Sequence, residues 1–341
     1  PGYPFARERH WFRVPPKEGD AGRPKEGHAG RATADRSPAQ TAQTAQTAQT
    51  AQTAQTVRTE PARTGAERTR TAPAPGAESR SAVPHPLLHA AVPGSGGRRF
   101  ISTFTGEEPF LAAHRVRGTP VLPAAAQVEM VRAAVARAAG REAGAPPTVR
   151  LRTMGWSRPL VVRDGPAEVR VGLTPRDGGA LAFEISTGTA PGTVHSSGLA
   201  ETVGAEEPAP LDLAGLLATC PRERGHAQVY AEFRDRGLDY GPAMRGLREL
   251  RLGQGELVAR IVEPEGGGAE DTGYVLSPSV LDAAFQASVA LLADTSPATG
   301  GGRSAPALPF AFEELTVHGP CAPETWAWVR RREGRGPLDM L

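Results

Sequence analysis

The sequence predicts an α+β fold made of two similar units, each with one long helix and several antiparallel strands. Apolar residues recur at helical spacing over residues 121–139 and again over residues 277–293. Strand-like runs separated by short turns accompany each of these segments. A helix wrapped by an antiparallel sheet is an α+β layer arrangement. Because it occurs twice without an obvious sequence repeat, we expect an internal duplication of the fold.

The first half is expected to place one strand before its long helix and a series of strands after it. Val128, Val131 and Val135 lie on one face of the helix, and Gly140 follows just past its end. Strands are expected at residues 99–104, 149–162, 167–173, 180–186 and 193–203. The third and fourth of these pair across a turn near Asp177-Gly178.

The second half begins after a polar stretch with prolines at residues 204–210. Its long helix starts with Ser277 as a plausible N-cap and Pro278 as the first helical residue. A short helix is expected at residues 226–236, a hairpin at 247–252 and 256–262, and strands at 310–317 and 325–331.

Composition divides the chain into four regions. Residues 1–12 (PGYPFARERHWF) combine aromatic and basic residues in a short stretch. Residues 13–84 contain six AQT triplets and almost no aromatic or branched aliphatic residues, so we expect a disordered linker. The first folded unit is predicted at residues 85–205 and the second at 206–341.

Charge and composition argue against several classes of function. The formal net charge is only +2 and the arginines are scattered, which does not favour nucleic acid as a partner. The chain shows no signal-peptide pattern and no apolar run of the ~18–20 residues that a bilayer requires. Cys220 and Cys321 provide neither a disulfide framework nor a metal cluster. We therefore expect a soluble cytoplasmic protein that does not bind a membrane.

His114 is the first candidate for chemistry, within the stretch HRVRGTPVLP that ends at Pro123. Histidine exchanges a proton near neutral pH, and a glycine such as Gly118 allows close backbone approach to a ligand. Pro123 suits the entry to the helix that follows. A lone histidine is more often a satisfied loop residue, and the chain's other histidines lack a comparable setting.

Asp282 is the second candidate, within the buried helix at residues 277–293. Gln286 lies four residues later, so the two side chains share one helix face. A carboxylate on a buried helix is costly unless it is paired or protonated. Favourable interaction with the helix dipole would explain an aspartate on a surface helix but explains a buried one poorly.

Tyr240 is the third candidate, in the turn Asp239-Tyr240-Gly241-Pro242. This turn presents a phenol, but Tyr-Gly-Pro is common in ordinary turns. Taken alone, it indicates a tyrosine at the edge of the core.

Together these motifs resemble the dehydratase domains of bacterial modular polyketide synthases. That family carries HxxxGxxxxP, YGP and DxxxQ/H motifs in this order. Here they appear as His114/Gly118/Pro123, Tyr240/Gly241/Pro242 and Asp282/Gln286. HPLL at His85 and LPAAAQVEM at Leu122 are further similarities, and residues 1–12 resemble the tail of the linker upstream of these dehydratases.

The resemblance implies a double hotdog fold with its site at the junction of the two units. It implies that His114 removes the proton next to the carbonyl of a 3-hydroxyacyl thioester, and that Asp282 donates a proton to the departing hydroxyl. Burial should raise the pKa of Asp282 and the helix N-terminus should lower it, and the sequence leaves the balance open. The substrate would be held on the phosphopantetheine arm of an acyl carrier protein, with no metal or redox cofactor.

The same resemblance assigns supporting roles. Tyr240 and Gln286 would hold or orient the hydroxyl, and the backbone N–H of Gly118 would stabilise the developing enolate oxygen. Pro123 would complete the substrate-binding set. Neighbouring synthase domains and a second copy of the chain are the other expected partners.

Three departures from the family pattern stand out. Ala124 replaces the usual glycine and Met244 a common phenylalanine, which alters pocket shape more than chemistry. The sequence also stops at Leu341, where the family continues, so we expect the second unit to lack part of its sheet.

Other functions stay open on this fold. A pyran-forming cyclase, a double-bond isomerase, an aldol-type product-template cyclase and a bifunctional dehydratase–cyclase share it. Retention of Asp282 and Gln286 favours dehydration, since isomerases tend to lose the aspartate and pyran synthases tend to alter the second motif. An inactive scaffold or docking domain is the non-enzymatic alternative.

Overall fold

The structure, a computed structural model, describes residues 81–94, 97–140, 146–163, 165–189, 192–205, 208–267, 273–294, 311–331 and 338–340. The expectations for residues 1–12 and for the linker up to residue 80 lie outside the described residues. The linker prediction is wrong for residues 81–84. They belong to a strand, Ser81–His85, that pairs with the strand Leu88–Gly94.

The first half alternates strands with one short and one long helix. In chain order these are β1 (Ser81–His85), β2 (Leu88–Gly94), β3 (Gly97–Phe104), α1 (Pro109–Ala112), β4 (His114–Val116), β5 (Thr119–Pro120), α2 (Ala124–Ala138), β6 (Thr148–Trp156), β7 (Ala167–Pro175), β8 (Leu181–Thr187) and β9 (Thr193–Val203). The predicted long helix begins later than expected, because Pro123 holds an extended backbone at its N-cap. Gly140 follows the C-cap with φ of 71°, which a glycine adopts without strain.

The second half repeats the pattern of one long helix among strands. Its elements are α3 (Leu213–Thr219), β10 (Arg222–Arg224), α4 (His226–Asp235), β11 (Leu238–Tyr240), β12 (Leu247–Leu252), β13 (Glu256–Val262), α5 (Pro278–Asp294), β14 (Ala311–Val317), β15 (Glu324–Arg331) and β16 (Leu338–Met340). Ser277, the predicted N-cap, donates its hydroxyl to Glu263, while its backbone carbonyl accepts from the N–H of Leu281 at 3.0 Å.

The strands form three antiparallel sheets, and two of these join the halves of the chain. The largest has the order β1-β2-β3-β7-β8-β9-β6-β14, and the next β10-β12-β13-β15-β16. In the large sheet, β14 from the second half pairs with β6 from the first. The small sheet has the order β11-β4-β5 and pairs Tyr240 directly with His114.

The two long helices form the core between the sheets. From Ala125 to Ala136, every side chain of α2 is buried. Helix α2 packs on β6, β7 and β9, helix α5 packs on β12, β13 and β15, and the two helices also contact each other. This confirms the predicted α+β arrangement of two helix-and-sheet layers and places side chains of both helices around a shared interior.

Candidate active site

A cavity between α2, α5 and β4 collects most of the residues that the sequence singled out. His114 enters its wall from the first half, and Asp282 from the second. Much of the remaining wall is apolar, including Val116, Leu122 and Val289. An imidazole from the first half and a carboxyl group from the second therefore share a largely apolar cavity.

His114 is held in the tautomer that a base requires. The side chain is 6% exposed, and its Nδ1 lies 2.8 Å from the carbonyl oxygen of Val121. Because a carbonyl can only accept, the proton of the neutral ring resides on Nδ1 and is donated to Val121. Nε2 then carries the free electron pair that can take a proton from a ligand.

Asp282 is 4% exposed, and burial raises the pKa of its carboxyl group above the ordinary value. The charge that His114 carries when its ring is protonated, and a hydrogen bond from Gln286, lower this pKa, but they do not cancel the effect of burial. Asp282 lies beyond the first turn of α5, where the helix N-terminus has little influence. The sequence left open whether burial or the helix N-terminus dominates the pKa of Asp282. Burial dominates, and it favours the protonated form of the carboxyl group.

Gln286 contacts Asp282 directly. Its Nε2 donates to Oδ2 of Asp282 at 2.8 Å and to the carbonyl oxygen of Met244 at 3.0 Å. Both amide hydrogens are thus engaged within the protein. Gln286 can offer a ligand only an acceptor, so the structure favours orientation of Asp282 over donation to a substrate hydroxyl.

Tyr240 presents its phenol to the same cavity. Strand pairing puts it opposite His114, with the two ring centroids 5.5 Å apart. Its hydroxyl has no hydrogen-bond partner in the described part of the chain. Burial, reinforced by Asp282 whenever that carboxyl is ionised, raises the pKa of Tyr240 well above its ordinary value, so the phenol stays protonated and can donate.

Gly118 does not occupy the position expected of it. It lies in the exposed turn between β4 and β5, and it is not part of the cavity wall. A Cβ at Gly118 would meet nothing within 4 Å, so close approach is not the reason for the glycine. The reason is the backbone, with φ of 77°, and the expected role for its N–H does not fit this position. Pro123 is buried at the start of α2, between the wall residues Leu122 and Ala124.

Three polar residues of the wall were not identified from the sequence. Gln127 on α2 accepts a hydrogen bond from Ser196 at 2.8 Å. Trp156 Nε1 is buried without a hydrogen-bond partner in the described segments. Arg158 is exposed and also lines the cavity. A polar residue on an apolar helix could have indicated Gln127, but no sequence pattern marks the other two.

A buried ionic cluster lies in the core and joins α2 to the segment before α5. Glu129 on α2 accepts from Arg132 at 2.6 Å and 2.9 Å, from His85 at 3.2 Å, and from the backbone N–H groups of Val275 and Leu276 at 3.0 Å and 3.2 Å. Burial alone would raise the pKa of Glu129, but these hydrogen bonds and the charge of Arg132 hold it below its ordinary value. The cluster fixes the approach to α5 and hence the helix that carries Asp282.

The described residues hold no metal cluster and no membrane-spanning helix. No group of three or more metal-ligating side chains occurs among them. Cys220 and Cys321 are both free. None of the described helices is long and apolar enough to cross a membrane.

Comparison with known sequences identifies relatives for both halves. The family described as "Polyketide synthase dehydratase domain" matches residues 85–188. The family described as "Polyketide synthase dehydratase N-terminal domain" matches residues 208–337.

Polyketide synthase PksN of Bacillus subtilis (strain 168) is 34% identical over 264 residues, which cover 76% of this chain and 5% of that protein. Polyketide synthase ThaG of Burkholderia thailandensis is 33% identical over 342 residues, covering 97% of this chain and 5% of that protein. The chain therefore spans a small part of the curated relatives that it matches.

The solved structures that resemble this chain are also dehydratase domains of polyketide synthases. A trans-AT polyketide synthase dehydratase domain from Brevibacillus brevis is 36% identical with a TM-score of 0.69, covering 76% of this chain and 92% of that one. The dehydratase domain of RzxB from Pseudomonas fluorescens is 29% identical with a TM-score of 0.64, covering 75% and 92%. The dehydratase domain of the CurF module of curacin polyketide synthase, at 24% identity and a TM-score of 0.66, covers 75% and 91% and shares the fold.

Proposed function

Because the chain belongs to the dehydratase domains of polyketide synthases and has their double hotdog fold, we propose that it converts a 3-hydroxyacyl thioester into the 2,3-enoyl thioester. The substrate is carried on the phosphopantetheine arm of an acyl carrier protein during polyketide chain elongation. One observation carries the proposal: the buried side chains of His114 and Asp282, from opposite halves of the chain, line one largely apolar cavity.

In the proposed reaction, Nε2 of His114 removes a proton from C2 of the substrate. The electron pair of that C–H bond forms the C2–C3 double bond while the bond between C3 and the hydroxyl oxygen breaks. Asp282 gives its proton to that oxygen, which leaves as water. Return of the proton from the imidazolium of His114 to the carboxylate of Asp282 restores both groups.

The environment of each group suits its role in this scheme. A neutral imidazole with a free Nε2 is a base, and a carboxyl group whose pKa is raised by burial can be an acid. Tyr240 supplies a protonated phenol that can hold the hydroxyl group. The reaction moves protons and transfers no electrons to an acceptor, so it calls for no metal or redox cofactor.

A relative supports the role of the aspartate. A CurK dehydratase described as an inactive mutant has asparagine in place of an aspartate, and it is 25% identical to this chain. Asp282 is the buried aspartate in the described part of this chain. The proposed partners are the acyl carrier protein, neighbouring synthase domains and a second copy of the chain.

The test is mass spectrometry of synthetic 3-hydroxyacyl thioesters, in the 3R and 3S forms, incubated with the protein. Wild type should remove the mass of one water from one form, whereas His114→Ala and Asp282→Asn should be slower by about 10²–10⁴-fold. Cyclisation or double-bond migration without a change in mass would replace dehydration by a cyclase or isomerase activity. Inertness of wild type toward both forms would favour a scaffold or docking role.

A further inference from the structure

The hydrogen bonds behind Asp282 extend to a tyrosine outside the cavity wall. Tyr230 on α4 donates its hydroxyl to Oε1 of Gln286 at 3.0 Å. The same hydroxyl accepts the backbone N–H of Leu247 at 3.1 Å. Tyr230 and Gln286 therefore form a continuous chain of hydrogen bonds that ends on Oδ2 of Asp282.

Two groups with only one possible role fix the direction of this chain. The N–H of Leu247 can only donate, so the oxygen of Tyr230 accepts there and its proton is given to Gln286. The carbonyl of Met244 can only accept, so it binds the nitrogen end of the Gln286 amide. Both constraints give the same orientation, with the amide oxygen toward Tyr230 and the amide nitrogen toward Asp282.

This orientation decides which oxygen of Asp282 can carry the acid proton. Oδ2 already accepts an N–H from Gln286, so a proton on its Gln286 side would face another proton. Oδ1 has no hydrogen-bond partner in the described ranges, and the Asp282 side chain lines the cavity with His114. The neutral acid therefore holds its proton on Oδ1, toward the cavity.

The geometry points to Tyr230 as a positioning residue of the reaction, which acts through Gln286 to direct the proton of Asp282 onto Oδ1. This inference rests on the proposed role of Asp282 as the acid. Tyr230 is not part of the cavity wall and has no expected contact with substrate. The titratable groups around Asp282 are His114 on β4, Tyr240 on β11 and Tyr230 itself on α4.

Tyr230→Phe removes the hydroxyl and keeps the ring, which packs edge-on against Phe233 and Tyr240 at centroid distances of 6.1 Å. Loss of the hydroxyl frees Gln286 from one of its two constraints. We expect kcat to fall about tenfold because the acid is less well oriented, with KM within about twofold of wild type. Thr219→Val, which likewise removes one hydroxyl, is the control, since exposed Thr219 donates to the carbonyl oxygen of Leu216 outside the cavity wall, and it should keep the wild-type kcat.

We call the chain of hydrogen bonds from Tyr230 through Gln286 to Asp282 the relay. Titration of the Asp282 carboxyl by carbon-13 NMR tests the relay without requiring the reaction. A weaker N–H bond from Gln286 should move the pKa of Asp282 further upward in Tyr230→Phe, because that bond favours the carboxylate. Gln286→Met should produce the same upward shift, and adding Tyr230→Phe to it should change neither kcat nor this pKa further.

An unchanged Asp282 pKa in Tyr230→Phe, or losses in kcat that multiply in the double variant, would overturn the relay. If Tyr230→Phe does not fold, a Gln286→Met variant with the wild-type pKa of Asp282 would overturn it equally. Absence of dehydration by wild type would instead refute the proposed function. The two failures are distinguishable, because the NMR titration needs no reaction.

Discussion

Burial of the Asp282 carboxyl creates a conflict between stability and chemistry. Its pKa is raised in the folded protein, so the folded state binds this proton more tightly than the unfolded chain. The stabilisation is complete below the ordinary value of 3.8 and is lost as the pH rises through the raised pKa. Around neutral pH the buried carboxyl of Asp282, the proposed acid, therefore lowers the stability of the folded protein.

Asp282→Asn should relieve this cost, since asparagine fills the same space without a charge. We expect a higher melting temperature than wild type at pH 7, by about 2–4 °C for each kcal/mol gained. The difference should shrink as the pH falls and vanish below 3.8, because the wild-type carboxyl is then protonated in both states. Calorimetry across this range measures it, with the exposed Asp239→Asn as control. A variant less stable than wild type at pH 7 would contradict the assignment of a raised pKa.

Individual residues differed in how far the sequence could define them. Asp282 stood out because a carboxylate on an apolar helix needs an explanation, and the structure places it on a buried helix. Gly118 was misinterpreted, because the requirement for positive φ and the requirement for close approach both select glycine. Tyr230 could not be found, since its hydrogen bond to Gln286 joins helices that lie far apart in the chain.

At the scale of elements, Glu129 links α2 to the start of α5. Its carboxylate satisfies two backbone N–H groups of the segment before α5 and balances the charge of Arg132, which is 4% exposed. Removing one partner of a buried ion pair leaves the other charge without compensation. The geometry of the Asp282 helix therefore depends on a side chain outside the cavity wall.

Glu129→Ala should lower the free energy of unfolding by about 3–5 kcal/mol, because Arg132 and the two N–H groups stay buried without an acceptor. Urea denaturation measures the loss. Glu324→Gln, at an exposed pair with Arg260, provides the control and should change little. A Glu129→Ala protein as stable as this control would show that the cluster does not hold α5 in place.

The boundaries of elements followed the local sequence where local chemistry determines them. The strand expected at residues 193–203 and the hairpin at 247–252 and 256–262 appear with the predicted limits, since alternation and turns lie within each segment. Strands β1 and β2 and the short strands β4 and β11 were missed; only one strand was expected before the first long helix. Their hydrogen bonds come from pairing with other strands, which such short segments do not reveal by themselves.

For the whole molecule, the sequence predicted two similar units but not how they share strands. β14 follows the second long helix, yet it completes the sheet of the first half beside β6. Pairing across so many residues has no local sequence pattern. The β4–β11 pair is equally non-local, and it brings Tyr240 beside His114. The site therefore exists only when both halves are folded together.

The most direct test of the central claim is the single-turnover rate of water loss in His114→Ala, Asp282→Asn and the variant that carries both changes. If the imidazole and the carboxyl group act on one substrate in a shared cavity, each single change should slow dehydration by about 10²–10⁴-fold. The combined variant should then be little slower than the slower single one, because groups that act as a unit do not have additive effects. A single variant with the wild-type rate, or losses that multiply in the combined variant, would contradict the account.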